Sequence, residues 1–275
     1  MAPPVPNRIA STFDQLQCRG EKALIPYIMA GDPSLAETEA LVATLEQAGA
    51  DLIELGVPFS DPIADGPTIQ KAAERALRAG TSLRRILALV HTLRAKVAIP
   101  LILMAYYNTL MAMGEENFCR EAVAAGVDGV IIPDMPPEEA EPLWTAAEAT
   151  GLCVIFLLAP TSTPARRREV IRRTRGFIYY VSLTGITGAK LTDMDHVQTS
   201  VTRLKKVAKK PVAVGFGVAT PADVHRIAQF ADGAIVGSAL VRLIEEHHNT
   251  PHFLTTIEQF TRQLKAATCS TNQQT

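Results

Sequence analysis

The 275-residue chain has few cysteines, and no two of them stand close together. Cys18, Cys119, Cys153 and Cys269 form no CxxC pair, so they read as free thiols in a reducing compartment and not as a structural zinc site. Long apolar runs are missing too. Val154 to Ala159 is among the longest, far short of the roughly 20 residues that a membrane-spanning helix needs. No basic flank followed by an apolar core opens the sequence, so no secretory signal is read. The expected location is the cytoplasm, or the plastid stroma if a transit peptide is missing. Net charge is also scarce: the formal value is -1 with both signs mixed along the chain, which argues against a nucleic-acid partner. No GxSxG, P-loop or HExxH pattern is present. The basic stretches Arg166 to Arg175 and Lys205 to Lys210 fall on expected outer helices and read as solvated faces. His247, His248 and His252 stand far in chain order from any expected site, so no metal centre is read there.

What the chain does have is a regular beat. The apolar content is 47%, ample for a core. Apolar, β-rich runs alternate with amphipathic helical segments. Eight strands are expected at Ala23–Met29, Leu52–Leu55, Leu101–Ala105, Gly129–Ile132, Cys153–Leu157, Phe177–Val181, Val212–Val214 and Gly233–Val236. Helices are expected between them, with two more after the eighth strand and one before the first, from Arg8 to Cys18. Pro137, Pro164 and Pro221 sit where helices would start, and Gly49, Gly80, Gly126 and Gly151 where they would stop. Strands apolar along their whole length suggest a parallel sheet covered on both faces. The expectation is an α/β fold, a (β/α)8 TIM barrel in one domain over residues 1–275, with an extra N-terminal helix. The ends, about 1–7 and 268–275, are expected to be flexible.

In such a barrel the active residues belong at the C-terminal strand ends and the loops that follow. The stretch Ala48 to Pro67 stands out there. Glu54 is an acid inside an otherwise apolar strand, which calls for a reason. Asp61 and Asp65 follow in a loop punctuated by Pro58, Pro62, Gly66 and Pro67. Two carboxyls in settings of different polarity are a common way to divide acid and base roles. Turn-making and a divalent metal held by Asp61 and Asp65 remain open alternatives. Three further segments hold small residues at strand ends: Ser182 to Lys190, Gly215 to Val218 and Val236 to Ala239. Their backbone amides, with Ser238 at a helix start, suit a phosphate. The first of them suits a mobile lid. Tyr27, Met29, Met104 to Tyr107 and Phe216 make either an apolar wall for a flat ligand or ordinary core. Tyr180 is either a core tyrosine or a residue pointing into the site.

The segments ELGVPFSDPIADGPTIQ, YYVSLTGITGAK, VGFGV and IVGSALV, in this order and spacing, resemble the α subunit of tryptophan synthase. The resemblance runs from about Arg8 to the final helix, and its first motif is highly specific. It implies cleavage of indole-3-glycerol phosphate to indole and glyceraldehyde 3-phosphate, a retro-aldol reaction with no cofactor in this chain. Glu54 and Asp65 fall on the family's catalytic acids. Tyr27, Tyr180, Phe216 and Thr187 are implied as substrate contacts, and Gly188, Gly217, Gly237 and Ser238 as the phosphate site. Asp61 and Pro62 match a region that faces a partner, a β subunit carrying pyridoxal phosphate (PLP), in an α2β2 heterotetramer. Two departures are visible: Tyr27 stands where phenylalanine is expected, and Leu183 stands where enterobacterial members have arginine. The rival readings are a free-standing lyase that releases indole and, from another class, a non-catalytic regulatory subunit. The presence of both Glu54 and Asp65 speaks against the second.

Overall fold

The computed structural model describes residues 7–181, 194–215 and 217–269. In chain order the elements are α1 (Arg8–Arg19), β1 (Ala23–Met29), α2 (Leu35–Gln47), β2 (Ile53–Gly56), α3 (Pro67–Arg78), α4 (Leu83–Leu93), β3 (Leu101–Met104), α5 (Tyr107–Met111), α6 (Glu115–Ala125) and β4 (Gly129–Ile131). They continue with α7 (Glu141–Thr150), β5 (Cys153–Ile155), β6 (Leu157–Leu158), α8 (Pro164–Arg173), β7 (Ile178–Val181), α9 (Met194–Ala208), β8 (Val212–Gly215), α10 (Pro221–Ala228), β9 (Gly233–Val236), α11 (Ser238–His247) and α12 (Phe253–Ala266).

All strand pairs are parallel, in the order β5-β4-β3-β2-β1-β9-β8-β7-β6. β5 and β6 are two ends of one run, separated only by Phe156. β5 pairs with β4, β6 pairs with β7, and the Phe156 carbonyl accepts from Tyr179 N–H. The ring therefore closes as an eight-stranded barrel, as the alternation predicts. The expected fifth strand is interrupted where the chain passes from one neighbour to the other.

Strand alternation sorts the side chains into two layers. Ile53 and Leu55 of β2, with Ile28 of β1, pack outward against the helices, whereas Ala23, Ile25, Ile102, Ile131 and Ile235 fill the barrel interior. The N-terminal mouth is plugged by α1. Asn7 caps that helix by accepting from Ile9 N–H, and Gly20 closes it at φ 70°. Ile9, Phe13 and Leu16 enter the interior cluster, with Phe13 tilted against Phe177 at 5.6 Å. Burying three such side chains contributes about 1.5–3 kcal/mol each.

The same mouth is pinned by a recurring device. An aspartate just before a strand accepts from the first N–H groups of the neighbouring strand and meets a cation. Asp51 takes Leu24 N–H and Lys265, Asp128 takes Leu101 N–H and Arg94, and Asp232 takes Val212 N–H and Lys205. Exposed N-terminal strand amides are thus satisfied on one side of the barrel, leaving the opposite mouth for chemistry.

One expected helix start shifts, and one short helix lies outside the expected set. The helix read as starting at Pro137 starts at Glu141. Residues 137–139 instead form a turn in which Glu139 N–H reaches the Pro136 carbonyl, and Pro142 takes the early helical position that suits proline. The short helix α5 was not anticipated, because five residues carry too little periodicity to read.

Candidate active site

β2 delivers its one acid inward. Glu54 lies between Tyr27 of β1 and Ile102 of β3 in the sheet register, and it is wholly buried. Neither carboxyl oxygen has a hydrogen-bond partner. A charge there would lack both water and a cation, so burial pushes the Glu54 pKa up to about 8. At neutral pH the side chain is therefore a carboxylic acid with a proton to give.

The loop that follows carries Asp65 into the same space. Its position is set from both sides. Gln70 Nε2 donates to the Asp65 carbonyl at 2.8 Å from the first turns of α3, and Ala64 N–H donates to Tyr106 Oη at 2.9 Å. Phe59 stacks on the Tyr106 ring with centroids 5.1 Å apart, fixing that phenol over the loop. Burial raises the Asp65 pKa to about 6, opposed by a hydrogen bond from the Tyr106 hydroxyl. Asp65 is thus mostly ionised at neutral pH. The structure brings the two expected acids together with opposite protonation states.

Three phenols surround them. Burial raises Tyr27, Tyr106 and Tyr179 above the ordinary phenol range. Asp65 adds to the rise in all three, and Glu54 adds to it in Tyr27 and Tyr179. All three stay neutral. Two strand-end glycines make room for two of these rings. A Cβ at Gly56 would collide with Tyr27 Oη, and one at Gly215 with Tyr179 Oη.

Tyr180, expected to contact substrate, does not face this space. It packs in the outer layer of the barrel, and its hydroxyl is influenced by Ser200 of α9 and Arg167 of α8. Alternation along β7 puts Phe177 and Tyr179 inside and Ile178 and Tyr180 outside. The inward tyrosine is therefore Tyr179, one residue earlier. Strand alternation, counted from Phe177, was the signal that would have found it. Tyr106 was legible only as part of an apolar wall; its contact with the Asp65 loop depends on the fold.

Tyr27 does face inward and is buried. Gly217, after β8, adopts φ 75°, and Gly237, after β9, precedes α11, whose first residue is Ser238. β8 and β9 are neighbours, so the two glycines follow adjacent strand ends at one corner of the mouth. Among the described residues the α11 terminus has no side-chain cap; the first N–H groups and the dipole of such a helix favour an anion. Tyr27 Cβ lies 3.6 Å from the position of a Cβ built on Gly237, which places the anion corner beside the Tyr27 ring. Thr187, Gly188 and Phe216 lie outside the described residues. Asp61 is exposed and Pro62 half-buried, and Ile63 beside them is 81% exposed at the rim of the same mouth. No group of three or more potential metal ligands occurs among the described residues.

A buried acid that keeps its proton, a half-buried carboxylate, a pocket walled by aromatic rings and an anion corner suit acid-base cleavage of a flat, phosphorylated substrate. The comparisons agree. The family model described as "Tryptophan synthase alpha chain" matches residues 13–269. The tryptophan synthase alpha chain of Geotalea uraniireducens is 55% identical over 240 residues, covering 87% of this chain and 90% of the relative. Among solved structures, the tryptophan synthase alpha chain of Legionella pneumophila superposes with a TM-score of 0.90 at 36% identity, covering 98% of this chain and 100% of that one. Tryptophan synthase of Mycobacterium tuberculosis gives 0.88 at 38% identity, covering 96% and 99%. The chain belongs to the tryptophan synthase alpha chain family, the lyase subunits that cleave indole-3-glycerol phosphate to indole and glyceraldehyde 3-phosphate.

Proposed function

We propose that Glu54 is the proton carrier of this cleavage and Asp65 the carboxylate that stabilises its charged intermediate. The observation that carries the assignment is the Glu54 carboxyl itself, buried with no partner for either oxygen. The bond between indole C3 and the glycerol side chain cannot break while the indole ring holds its electrons. Protonation of C3 by Glu54 gives an indolenine with positive charge at the ring nitrogen. Asp65, mostly ionised, accepts the ring N–H and offsets that charge. The Glu54 carboxylate so formed takes the proton of the adjacent side-chain hydroxyl. A carbonyl then forms, the C–C bond breaks, and its electron pair restores the aromatic ring. Glu54 ends protonated, ready for another turnover.

Gly217, Gly237 and Ser238 would hold the phosphate, with Gly188 from the segment that follows β7 in sequence. The indole ring would lie against Tyr27 and Tyr179, with Phe216 and Thr187 completing its pocket. The rim at Asp61, Pro62 and Ile63 would face the partner, a β subunit that carries PLP and receives the indole within an α2β2 assembly. This chain's own step runs on its two carboxyls. The free surface thiols Cys18 and Cys269 suit a reducing compartment, the cytoplasm.

The test is indole release from indole-3-glycerol phosphate by the purified chain, alone and with saturating tryptophan synthase β subunit. Glu54→Gln and Asp65→Asn should each lower kcat by about a hundredfold or more while substrate still binds. Turnover kept by Glu54→Gln would remove Glu54 from the mechanism. Fast release unchanged by the β subunit would make the chain a free-standing lyase.

A further inference from the structure

The assigned site has two halves on different elements. Asp65 stands next to Gly66, the N-cap of α3, and the anion corner lies at the start of α11. For cleavage, the carboxylate and the phosphate anchor must keep a fixed separation, because both grip one substrate. The loops alone do not supply this. The helices behind them do. α3 and α11 pack against each other, with Ala72, Ala73 and Ala76 of α3 and Val241 of α11 in one buried cluster that also holds Tyr27. Alanines on the facing side allow close approach, but they offer little resistance to one helix sliding along the other.

A polar clamp sits further along the same pair. Arg75 of α3 donates from Nε to Asp32 Oδ1 at 2.7 Å and from Nη2 to Asp32 Oδ2 at 2.8 Å. Its remaining arm, Nη1, reaches Glu245 Oε1 of α11 at 2.8 Å. Asp32 is buried in the loop after β1, where Ala30 N–H donates to the carbonyl of Gly56, two residues after Glu54. One guanidinium thus ties together the loop beside the Glu54 strand, the helix that follows Asp65 and the helix that begins at the phosphate corner. A planar fork with three engaged nitrogens fixes direction as well as distance, which a flexible ammonium does not.

We propose that Arg75 is a positioning residue for the cleavage. It holds α3 and α11 in axial register, so that Asp65 and the anchored phosphate meet the substrate at the correct spacing. The inference rests on the roles proposed above for Asp65 and the α11 terminus. A displacement of about 1 Å in such a constellation is enough to lower turnover by about a hundredfold.

Two substitutions test it. Arg75→Lys keeps the charge and loses the fork. Glu245→Gln, at a partly exposed position, keeps the shape and weakens only the arm to α11. For each, kcat for indole release is measured with saturating β subunit, together with the dissociation constant of sn-glycerol 3-phosphate as a probe of the anion corner. The expected result is a kcat lower by about tenfold or more for Arg75→Lys and by a smaller factor for Glu245→Gln, with sn-glycerol 3-phosphate binding within about threefold of wild type. A kcat within about twofold of wild type in both variants overturns the proposal. So does a fall in kcat matched by an equal fall in the fraction of folded, ligand-binding protein. If wild type fails to bind sn-glycerol 3-phosphate, the phosphate assignment falls; if Asp65→Asn turns over normally, the catalytic assignment falls. Neither result resembles the failure of the clamp itself.

Discussion

The stability of Glu54→Gln relative to wild type should rise with pH, even as the substitution makes the enzyme inactive. The magnitude follows from burial. Unfolded, the Glu54 carboxyl titrates near the ordinary glutamate value of 4.5; folded, it titrates at about 8. Between those values the native state holds a proton that the unfolded state has released, so stability falls as pH rises through this window. At about pH 5 the penalty is about 1 kcal/mol and at about pH 7 it is about 3 kcal/mol, levelling off once the folded carboxyl itself ionises above about pH 8. Glutamine fills the same volume without titrating. Whatever fixed contribution its amide makes is the same at both pH values, and every other group titrates alike in the two proteins. The stability advantage of the variant over wild type should therefore increase by about 2–3 kcal/mol between about pH 5 and pH 7. Urea unfolding of both proteins at the two pH values measures it. An advantage that stays constant across the window would mean that Glu54 ionises normally in the folded chain, and the assignment of a protonated acid at neutral pH would fall with it.

Other consequences concern the loop, the strand ends and the N-terminal mouth. Wild-type kcat/KM should fall below about pH 6 as Asp65 takes up its proton, and above about pH 8 as Glu54 loses its own. Tyr106→Phe removes the hydroxyl that opposes the rise in Asp65, so the acid limb of that profile should move upward; an unmoved limb would mean the phenol does not act on Asp65. Gly56→Ala puts a methyl into Tyr27 Oη, and should lower kcat/KM strongly with a modest change in thermal stability, whereas Gly114→Ala, at an open helix start with φ 85°, should change stability alone. Asp128→Ala leaves Leu101 N–H and Arg94 Nη2 without an acceptor and the Arg94 charge without its paired carboxylate, and should destabilise the fold by about 3–5 kcal/mol in urea unfolding.

The alternation of strands and helices was legible because parallel strands buried on both faces are apolar throughout, and helices in such a barrel are amphipathic. Helix ends were legible where one residue type alone suits the backbone: Gly126 and Gly151 both terminate helices at positive φ, as read. Other boundaries depend on competition between neighbours. Pro137 and Pro142 both qualify as helix-starting prolines, and the turn after Pro136 decides for the later one. The split of the fifth strand at Phe156 follows from its two neighbours in the closed ring, which no local pattern encodes. The aspartates at Asp51, Asp128 and Asp232 carry a sequence signal of their own: an acid repeated one or two residues before a strand, where neighbouring amides lack partners.

The site divides along the same line. Glu54 was legible because a carboxyl within an apolar strand contradicts the burial rule, and the contradiction survives in the structure as two unpartnered oxygens. From its residue type and setting alone Asp65 was legible as one of two loop acids, and only the family resemblance singled it out, since what separates it physically from Asp61 is three-dimensional. Gln70 and Tyr106 bind the backbone on either side of Asp65, while Asp61 stands exposed at the rim. Tyr179 and Tyr180 show the limit most sharply. The two are chemically identical neighbours, and only the parity of the strand assigns one to the acids and the other to the outer helices. A shift of one residue in β7 would exchange them, and with them the phenol beside Glu54. Parity is held from the other end of the strand, where Phe177 is fully buried against Phe13 of α1. The helix that plugs the N-terminal mouth thereby decides which tyrosine reaches the catalytic one, so weakening the Phe13–Phe177 contact should disturb Tyr179 before it disturbs either acid.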